Sequence, residues 1–151
     1  MIIRKNGASL SHWVGITVFL RGEVKLGKYG DILSFISYFE NESHIFYTWS
    51  QSGLQKDGFL SMAYPDYDEE FIRFIELVSD SGLMNVNYLK VIDNNSLGNQ
   101  LKPVLHKANM EVLTAILTYF VRQERFCDGL WARAIEDKTF LNILYRLREL
   151  V

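Results

Sequence analysis

Cysteine and proline are scarce in this chain of 151 residues, which contains one cysteine and two prolines. A single cysteine excludes a disulfide bond within the chain and any zinc site that needs a pair of cysteines. Such low cysteine usage is typical of a reducing compartment, and we therefore expect a cytoplasmic protein. The sequence also lacks a signal-peptide pattern and the run of about 20 apolar residues that a membrane span needs, so no membrane association is expected.

The chain also lacks a large net charge. Its formal charge is −2 at pH 7. Basic residues are concentrated near the beginning, where residues 1–28 carry five basic side chains and one acidic side chain. A field this weak does not hold nucleic acid or an anionic lipid surface. We expect neither as a partner and interpret the basic segment as solvated surface.

The chain does contain enough apolar material for a substantial core. Apolar residues make up 48% of the sequence and charged residues 23%, which is typical of a folded globular protein. Phe, Tyr and Trp together reach 14%. A length of 151 residues fits one domain and leaves little room for two.

Two aromatic-rich segments predict a β-hairpin. Residues 45–51 and 59–64 favour strands, and a turn-like segment from Gly53 to Gly58 separates them. Pro65 is expected to end the second strand, because proline cannot donate a hydrogen bond to a strand ladder. The hairpin supplies the small antiparallel sheet of the predicted fold.

Apolar residues at helical spacing predict the first helices. One helix is predicted at 31–41, with Asp31 at its N-cap, and a second at 66–80, capped by Asp66 or Asp68. Aspartate suits these positions because its carboxylate accepts from the free backbone N–H groups at a helix start.

A long loop is predicted next, over residues 93–103, from its asparagines, glycine and closing proline. From Asn109 the pattern is helical to the last residues, with breaks at 128–129 and 138–139 that divide it into a three-helix segment. We therefore predict an α+β fold, in which a small antiparallel sheet packs with about five helices.

No standard catalytic motif is present. The chain has no G-x-S-x-G elbow, no glycine-rich phosphate loop and no H-E-x-x-H helix. Its histidines, His12, His44 and His106, lie far apart without the spacing of metal ligands, and we interpret them as surface or loop residues. We expect no metal and no cofactor, and the sequence leaves open whether the protein is an enzyme.

The segment YFVRQERFCDGLWARAIED, residues 119–137, crowds charges into a pattern otherwise suited to burial. Arg122 and Arg125 stand three positions apart on one helix face and offer paired donors for a phosphate or carboxylate. Neighbouring rings offer a surface that stacks on a base, and neighbouring carboxylates accept from a ribose hydroxyl. The candidate ligand-binding residues of this cluster are Arg122, Glu124, Arg125, Phe126, Asp128 and Trp131.

The same cluster has a structural interpretation. Asp128 is a good N-cap for the helix that follows it. Arg122 and Arg125 would then pair with Asp128, with Glu124 or with carboxylates of the middle segment, and so tie helices together. The sequence leaves both the ligand site and this salt-bridge network open.

A second candidate site lies at the corner between the hairpin and the next helix, in the run YPDYD at residues 64–68. Helix capping is the first role of its acidic residues. If a cleft adjoins the hairpin, we expect Trp49, Tyr64 and Asp66 to line its rim.

The sequence also resembles a known family. The run ILTYFVRQERFCDGLWARAIEDKTFLNILYRLREL is similar to the C-terminal block of a family of small bacterial proteins known as domain of unknown function 6508. The similarity takes in FISYFEN, KDGFLSMAYPDYD and FIRFIELVSDSGL, and so covers about residues 30–151. Residues 1–28 fall outside it, and we interpret them as a variable extension of a single domain, residues 1–151.

The R-x-E-R-F-x-D-G block is, in addition, similar to a tail carried by some bacterial macrodomain proteins, which act on ADP-ribose. This resemblance implies an arginine-rich site for a nucleotide-like ligand. It carries over no catalytic residue, and the glycine-rich ligand loops of a macrodomain are absent from this sequence.

These observations lead to three functional hypotheses. The first is a binding or interaction module that recognises an anionic or nucleotide-like small molecule, or a protein partner, through the Arg/Glu/Asp/Trp cluster. The second is an enzyme acting on an ADP-ribose-like or nucleotide substrate, with Asp66, Glu124 or Asp128 as acid or base. The third is DNA binding through the C-terminal helices, which the acidic balance of the chain disfavours. The sequence does not predict an oligomeric state.

Overall fold

The computed structural model describes residues 27–54, 56–97 and 100–151. Residues 1–26, which make up nearly all of the predicted extension and include His12, lie outside the described residues. The predicted α+β class is confirmed, because the described chain combines helices with a small antiparallel sheet. In this part of the chain, no helix has the length and apolar character needed to cross a membrane.

The predicted hairpin is present. Its strands are β1 (Tyr47–Trp49), β2 (Gly53–Leu54), β3 (Leu60–Ser61) and β4 (Pro65–Tyr67). β1 pairs with β4 and β2 with β3, both antiparallel, so that Tyr47 lies opposite Tyr67 and Leu54 opposite Leu60. Both pairs follow the same register, and the four strands therefore form one two-stranded ribbon.

The prediction that Pro65 ends the second strand is wrong. Pro65 begins β4 and lies opposite Trp49. In the adjacent pair, the Ser50 N–H donates to the Tyr64 carbonyl at 2.9 Å. Hydrogen-bonded and non-hydrogen-bonded pairs alternate along an antiparallel ladder, so Pro65 occupies a position at which the ladder requires no N–H.

The helix predicted at 31–41 is divided, and its predicted cap is wrong. The helices of the described chain are α1 (Gly30–Leu33), α2 (Phe35–Glu40), α3 (Glu69–Asp80), α4 (Tyr88–Asn94), α5 (Leu101–Val104), α6 (Met110–Gln123), α7 (Leu130–Glu136) and α8 (Thr139–Leu150). Tyr29, not Asp31, is the N-cap of α1. Ser34 separates α1 from α2, and its hydroxyl donates to the Asp31 carbonyl at 2.6 Å, a local bond that competes with regular helix.

The loop predicted over 93–103 is shorter than expected. α4 continues to Asn94, and α5 begins at Leu101. Pro103 is accommodated because it lies in the first turn of α5, where a backbone N–H has no partner within the helix.

Side-chain caps fix the starts of α3 and α6. Asp68 Oδ1 accepts from the Phe71 N–H at 2.8 Å, so Asp68 rather than Asp66 is the cap of α3. Asn109 Oδ1 accepts from the Val112 N–H at 2.9 Å at the start of α6. Both helices therefore begin where the sequence supplies an acceptor.

One aromatic core joins these elements. Phe71 and Phe74 of α3 and Phe140 of α8 are buried, and the ring centroid of Phe140 lies 5.6 Å from each of the other two. Burying one such ring stabilises the fold by about 1.5–3 kcal/mol. α8 packs against α2, α6 and α7, and α7 also contacts α6. The turn from α6 into α7 therefore joins two helices that both pack against α8.

Candidate functional site

The carboxylate of Glu124 organises the turn between α6 and α7. A short 3₁₀ turn, Glu124–Phe126, follows α6 and returns the Glu124 side chain to the start of α7. Glu124 Oε1 accepts from the Gly129 N–H at 2.9 Å, and Oε2 accepts from the Trp131 N–H at 2.7 Å. These N–H groups have no partner within the helix, so Glu124 caps α7 from the preceding turn.

The prediction that Asp128 caps this helix is wrong. Asp128 is exposed, and the N-cap position belongs to Gly129, which has no side chain to offer. Gly129 has φ +84°, in the left-handed region that favours glycine. This bend directs the first N–H groups of α7 towards Glu124.

Tyr67 joins the hairpin to the same turn. Its hydroxyl donates to Glu124 Oε1 at 2.5 Å and accepts from the Ala132 N–H at 3.1 Å. Burial and the bond to the Glu124 carboxylate raise the pKa of Tyr67 well above its ordinary value of about 10. The phenol therefore remains protonated at neutral pH and serves as a fixed donor to Glu124.

Trp131 is packed into the structure and is not an open stacking surface. Its Nε1–H donates to the Phe120 carbonyl at 2.7 Å. Its ring lies edge-on to Tyr67 and Phe71, with centroids 5.3 and 5.5 Å away. Both the ring and its polar atom are therefore engaged within the fold.

Trp49 of β1 lies directly on Gly129. A Cβ atom added at Gly129 would stand 2.9 Å from Trp49 Cη2, closer than carbon atoms approach without displacement. Position 129 therefore requires glycine for two reasons, its positive φ and this close approach. The contact fixes the base of the hairpin against the turn that follows α6.

Arg122 and Arg125 do not form the salt-bridge network that the sequence left open. Within residues 27–54, 56–97 and 100–151, the ion pairs involve other side chains. The Arg122 guanidinium lies 5.7 Å from the centre of the Tyr88 ring, and the Arg125 guanidinium 5.9 Å from that of Phe126. These cation–π contacts engage guanidinium faces and supply no negative charge.

These four side chains, Tyr88, Arg122, Arg125 and Phe126, line a cavity of about 440 Å³, which we call the arginine pocket. Gln123 Nε2 donates to the Tyr88 hydroxyl at 3.1 Å and so fixes the phenol relative to α6. The positive charges of Arg122 and Arg125 repel each other, and an anion bound between them would offset this repulsion. The arginine pocket can therefore bind a phosphate or carboxylate group.

The second predicted site is not assembled as one surface. Asp66 lines a cavity of about 190 Å³ beside the hairpin, together with Tyr47 and Tyr67. Tyr64 is exposed and is not part of that wall, and Trp49 lies on Gly129 instead.

The predicted binding residues thus divide into three groups. Arg122, Arg125 and Phe126 share the arginine pocket; Glu124, Trp131 and Trp49 hold the adjoining turn; Asp128 is an exposed residue of that turn, and Tyr64 and Asp66 belong to neither group. Tyr88 is a wall residue that the sequence did not predict, because the pattern around it did not distinguish helix from strand. The described residues contain no group of three or more His, Cys, Asp or Glu side chains placed to hold a metal ion.

Comparison with known proteins gives one result. The model of a family of unknown function, DUF6508, matches residues 26–151 of the chain. Curated proteins and solved structures give no match. The matched region includes the hairpin and the whole turn from α6 into α7.

Proposed function

The chain belongs to the DUF6508 family of unknown function, and from that premise we propose that it is a binding module for an anionic, nucleotide-like ligand. The proposed site is the arginine pocket, lined by Tyr88, Arg122, Arg125 and Phe126. The phosphate of the ligand lies between the two guanidinium groups, and its base lies against Phe126. A cytoplasmic location, as expected from the cysteine content, is part of the same proposal.

Two neighbouring arginines without a carboxylate partner in the described chain carry this proposal. A guanidinium offers five donors in a planar fork and accepts nothing, so it matches a phosphate or carboxylate edge. Charge-assisted bonds of this kind are about twice as strong as neutral ones. A phosphate therefore supplies both the acceptors and the negative charge that Arg122 and Arg125 lack.

The aromatic walls favour a nucleotide over a simple anion. Phe126 is 76% exposed although it is a large apolar side chain. Stacking of a base on such a ring contributes about 1–3 kcal/mol. The Tyr88 hydroxyl accepts a hydrogen bond from Gln123, and the Tyr88 ring makes a cation–π contact with Arg122.

Glu124 acts in this proposal as a positioning residue. Both of its oxygens accept hydrogen bonds, from Tyr67, Gly129 and Trp131. Its carboxylate is therefore occupied and holds the 3₁₀ turn that carries Arg125 and Phe126. This role differs from that of an acid or base in an enzyme, which exchanges a proton with the substrate.

Isothermal titration of the full chain with ADP-ribose, AMP and inorganic pyrophosphate tests the proposal. We expect binding to the wild type and a loss of at least about tenfold in affinity for Arg122→Ala and for Arg125→Ala, because one charge-assisted bond is worth about 1.5–3 kcal/mol. The matched control is Arg133→Ala, since Arg133 is an exposed arginine of α7 outside the arginine pocket.

Two results would overturn the proposal. One is the absence of heat of binding for all three probes at millimolar concentration. The other is equal affinity for the wild type, Arg122→Ala and Arg125→Ala, which would mean that the probes bind elsewhere. Far-ultraviolet circular dichroism of each variant establishes that a loss of binding does not reflect unfolding.

A further inference from the structure

A hydrogen-bonded chain of His44, Asp68 and Tyr38 lies at the base of the hairpin. His44 Nε2 lies 2.5 Å from Asp68 Oδ2. The other oxygen, Asp68 Oδ1, accepts from the Tyr38 hydroxyl at 2.7 Å and from the Phe71 N–H at 2.8 Å. The carboxylate that caps α3 is therefore held by donors at both oxygens. Capping alone explains the bond to Phe71 but not the bond to His44.

This series of hydrogen bonds determines which tautomer a neutral His44 adopts. A neutral imidazole has one N–H group and one lone pair. Because an ionised carboxylate only accepts, the nitrogen that faces Asp68 carries the hydrogen, and Nδ1 keeps the lone pair. The ring packs edge-on against Tyr38 and Phe46, at 5.0 and 4.8 Å between centroids, which limits its rotation. The only hydrogen bond of the ring to other described residues is the one to Asp68.

His44 also lines a cavity of about 410 Å³, which Asp68 does not line. The side chain of His44 is 34% exposed. Since Nε2 is engaged by Asp68, Nδ1 is the ring nitrogen that has no hydrogen-bond partner among the described residues. Apolar side chains of the hairpin base, α2 and α7 form much of the remaining wall, namely Phe39, Ile45, Phe46 and Ile135. We call this cavity the histidine pocket.

Three charged side chains, Glu42, Glu136 and Lys138, also line the histidine pocket, together with the Tyr47 phenol, and each bonds to another of these four. Lys138 Nζ lies 2.9 Å from Glu42 Oε1, and the Tyr47 hydroxyl donates to Glu136. Burial and the bond to Glu136 raise the pKa of Tyr47 to about 12, so its proton stays in that bond. Nδ1 of His44 differs from these groups in being an uncharged acceptor that has no partner among the described residues.

We propose that the histidine pocket is a second binding site, for a small neutral ring-bearing molecule with one O–H or N–H donor. Phenol is the simplest representative of this class. Its ring packs against Phe39 and Phe46, and its hydroxyl donates to His44 Nδ1. Asp68 is the positioning residue, because it keeps the lone pair on Nδ1. The site is separate from the arginine pocket and shares no residue with it.

Titration of the full chain with phenol and with anisole, followed by ¹⁵N NMR of the histidine side chains, tests this proposal. The two probes have similar rings, but only phenol donates. At about pH 8.5 we expect the Nε2–H tautomer for His44 and about fivefold tighter binding of phenol than of anisole. His106, which does not line the histidine pocket, is the internal reference in the same spectra.

The variant Asp68→Asn is expected to remove the predicted preference. Tyr38 and the Phe71 N–H both donate to Oδ1, so the amide oxygen keeps that place and the amide nitrogen faces His44. The new amide donates to Nε2, and the hydrogen of the ring moves to Nδ1. We then expect phenol and anisole to bind about equally, because the ring N–H needs an acceptor and the oxygens of both probes can accept. Asn is also a good helix cap, so α3 is retained. Asp66→Asn is the matched control and should keep the preference for phenol.

Equal binding of phenol and anisole by the wild type would overturn the proposal, as would no binding of either probe or an Nδ1–H tautomer in the wild type. Retention of the phenol preference in Asp68→Asn would also overturn it. The wild-type comparison does not depend on how well the variant folds. A purely structural histidine would show neither the probe preference nor its loss in Asp68→Asn.

Discussion

Glu124 and its neighbours Arg122 and Arg125 occupy one short run of sequence, yet their surroundings are opposite. Each oxygen of Glu124 accepts from the turn, the hairpin or the start of α7. The two arginines face the arginine pocket, where their guanidinium groups contact rings but no carboxylate of the described chain. A polar side chain whose hydrogen bonds are all made to other residues of the protein stabilises the fold. A pair of like charges that lacks an oppositely charged partner within the protein indicates a place for a charged ligand.

Backbone geometry explains the division. Residues three apart on a helix point to the same side, whereas a residue two positions along points to nearly the opposite side. Arg122 and Arg125 are therefore directed together, and Glu124 is directed away from Arg122. The 3₁₀ turn at Glu124–Phe126 tightens the chain so that Glu124 faces the start of α7.

Glu124→Ala is expected to have the largest effect on stability. It leaves the Gly129 N–H, the Trp131 N–H and the Tyr67 hydroxyl without their acceptor. We expect a loss of about 3 kcal/mol in the free energy of unfolding, measured by urea denaturation. The control is Glu76→Ala, at an exposed position of α3, which should change it by less than about 0.5 kcal/mol. If Glu124→Ala lowered the free energy of unfolding as little as the control does, Glu124 would not have the structural role that distinguishes it from the arginines.

A second, smaller effect is expected at high pH. The pKa of Tyr67 is raised in the folded state, while in the unfolded chain it is about 10. Below pH 10 both states hold the proton, and the contribution of Tyr67 is fully present. Above pH 10 the unfolded state releases the proton first, so the free energy of unfolding falls, by at most about 1.4 kcal/mol per pH unit.

Urea denaturation at a series of pH values between about 8 and 11 measures this slope. Tyr67→Phe should reduce the slope above pH 10, and Tyr64→Phe, at an exposed position of the hairpin, should leave it unchanged. Tyr38, whose pKa is also raised by burial and by its bond to Asp68, contributes in the same direction. Equal slopes for wild type and Tyr67→Phe would contradict the role given to the Tyr67–Glu124 bond.

The smallest effect on stability is expected for the arginines. Arg122→Ala and Arg125→Ala each remove one cation–π contact and no ion pair of the described chain. We expect each to change the free energy of unfolding by at most about 1 kcal/mol, measured in the same urea experiment without ligand. A loss comparable to that of Glu124→Ala would show that the arginines support the fold.

Local patterns predicted the elements well, because helix periodicity and capping depend on residues that are near in sequence. Asp68 and Asn109 both lie at helix starts that the sequence indicated. The prediction that Asp128 caps α7 is wrong because Gly129 has a positive φ and occupies the N-cap position, and its N–H donates to Glu124. No pattern within one helix reveals that exchange.

The candidate site was predicted only in part for a similar reason. The spacing of Arg122 and Arg125 placed them on one face, but the rest of the wall depends on tertiary packing. Tyr88 reaches the arginine pocket from α4, and its hydroxyl bonds to Gln123 across 35 positions of sequence. His44 and Asp68 likewise meet across 24 positions. Whether an arginine has a partner is decided by such distant contacts.

The hydroxyl of Tyr67 connects residues that are made at different times during synthesis. Its two partners, Glu124 and Ala132, follow it by 57 and 65 positions in the chain. An isolated two-stranded hairpin is marginally stable in water. Both bonds can form only after the turn that follows α6 has been synthesised. We therefore expect the attachment of the hairpin to this turn to be completed late in synthesis.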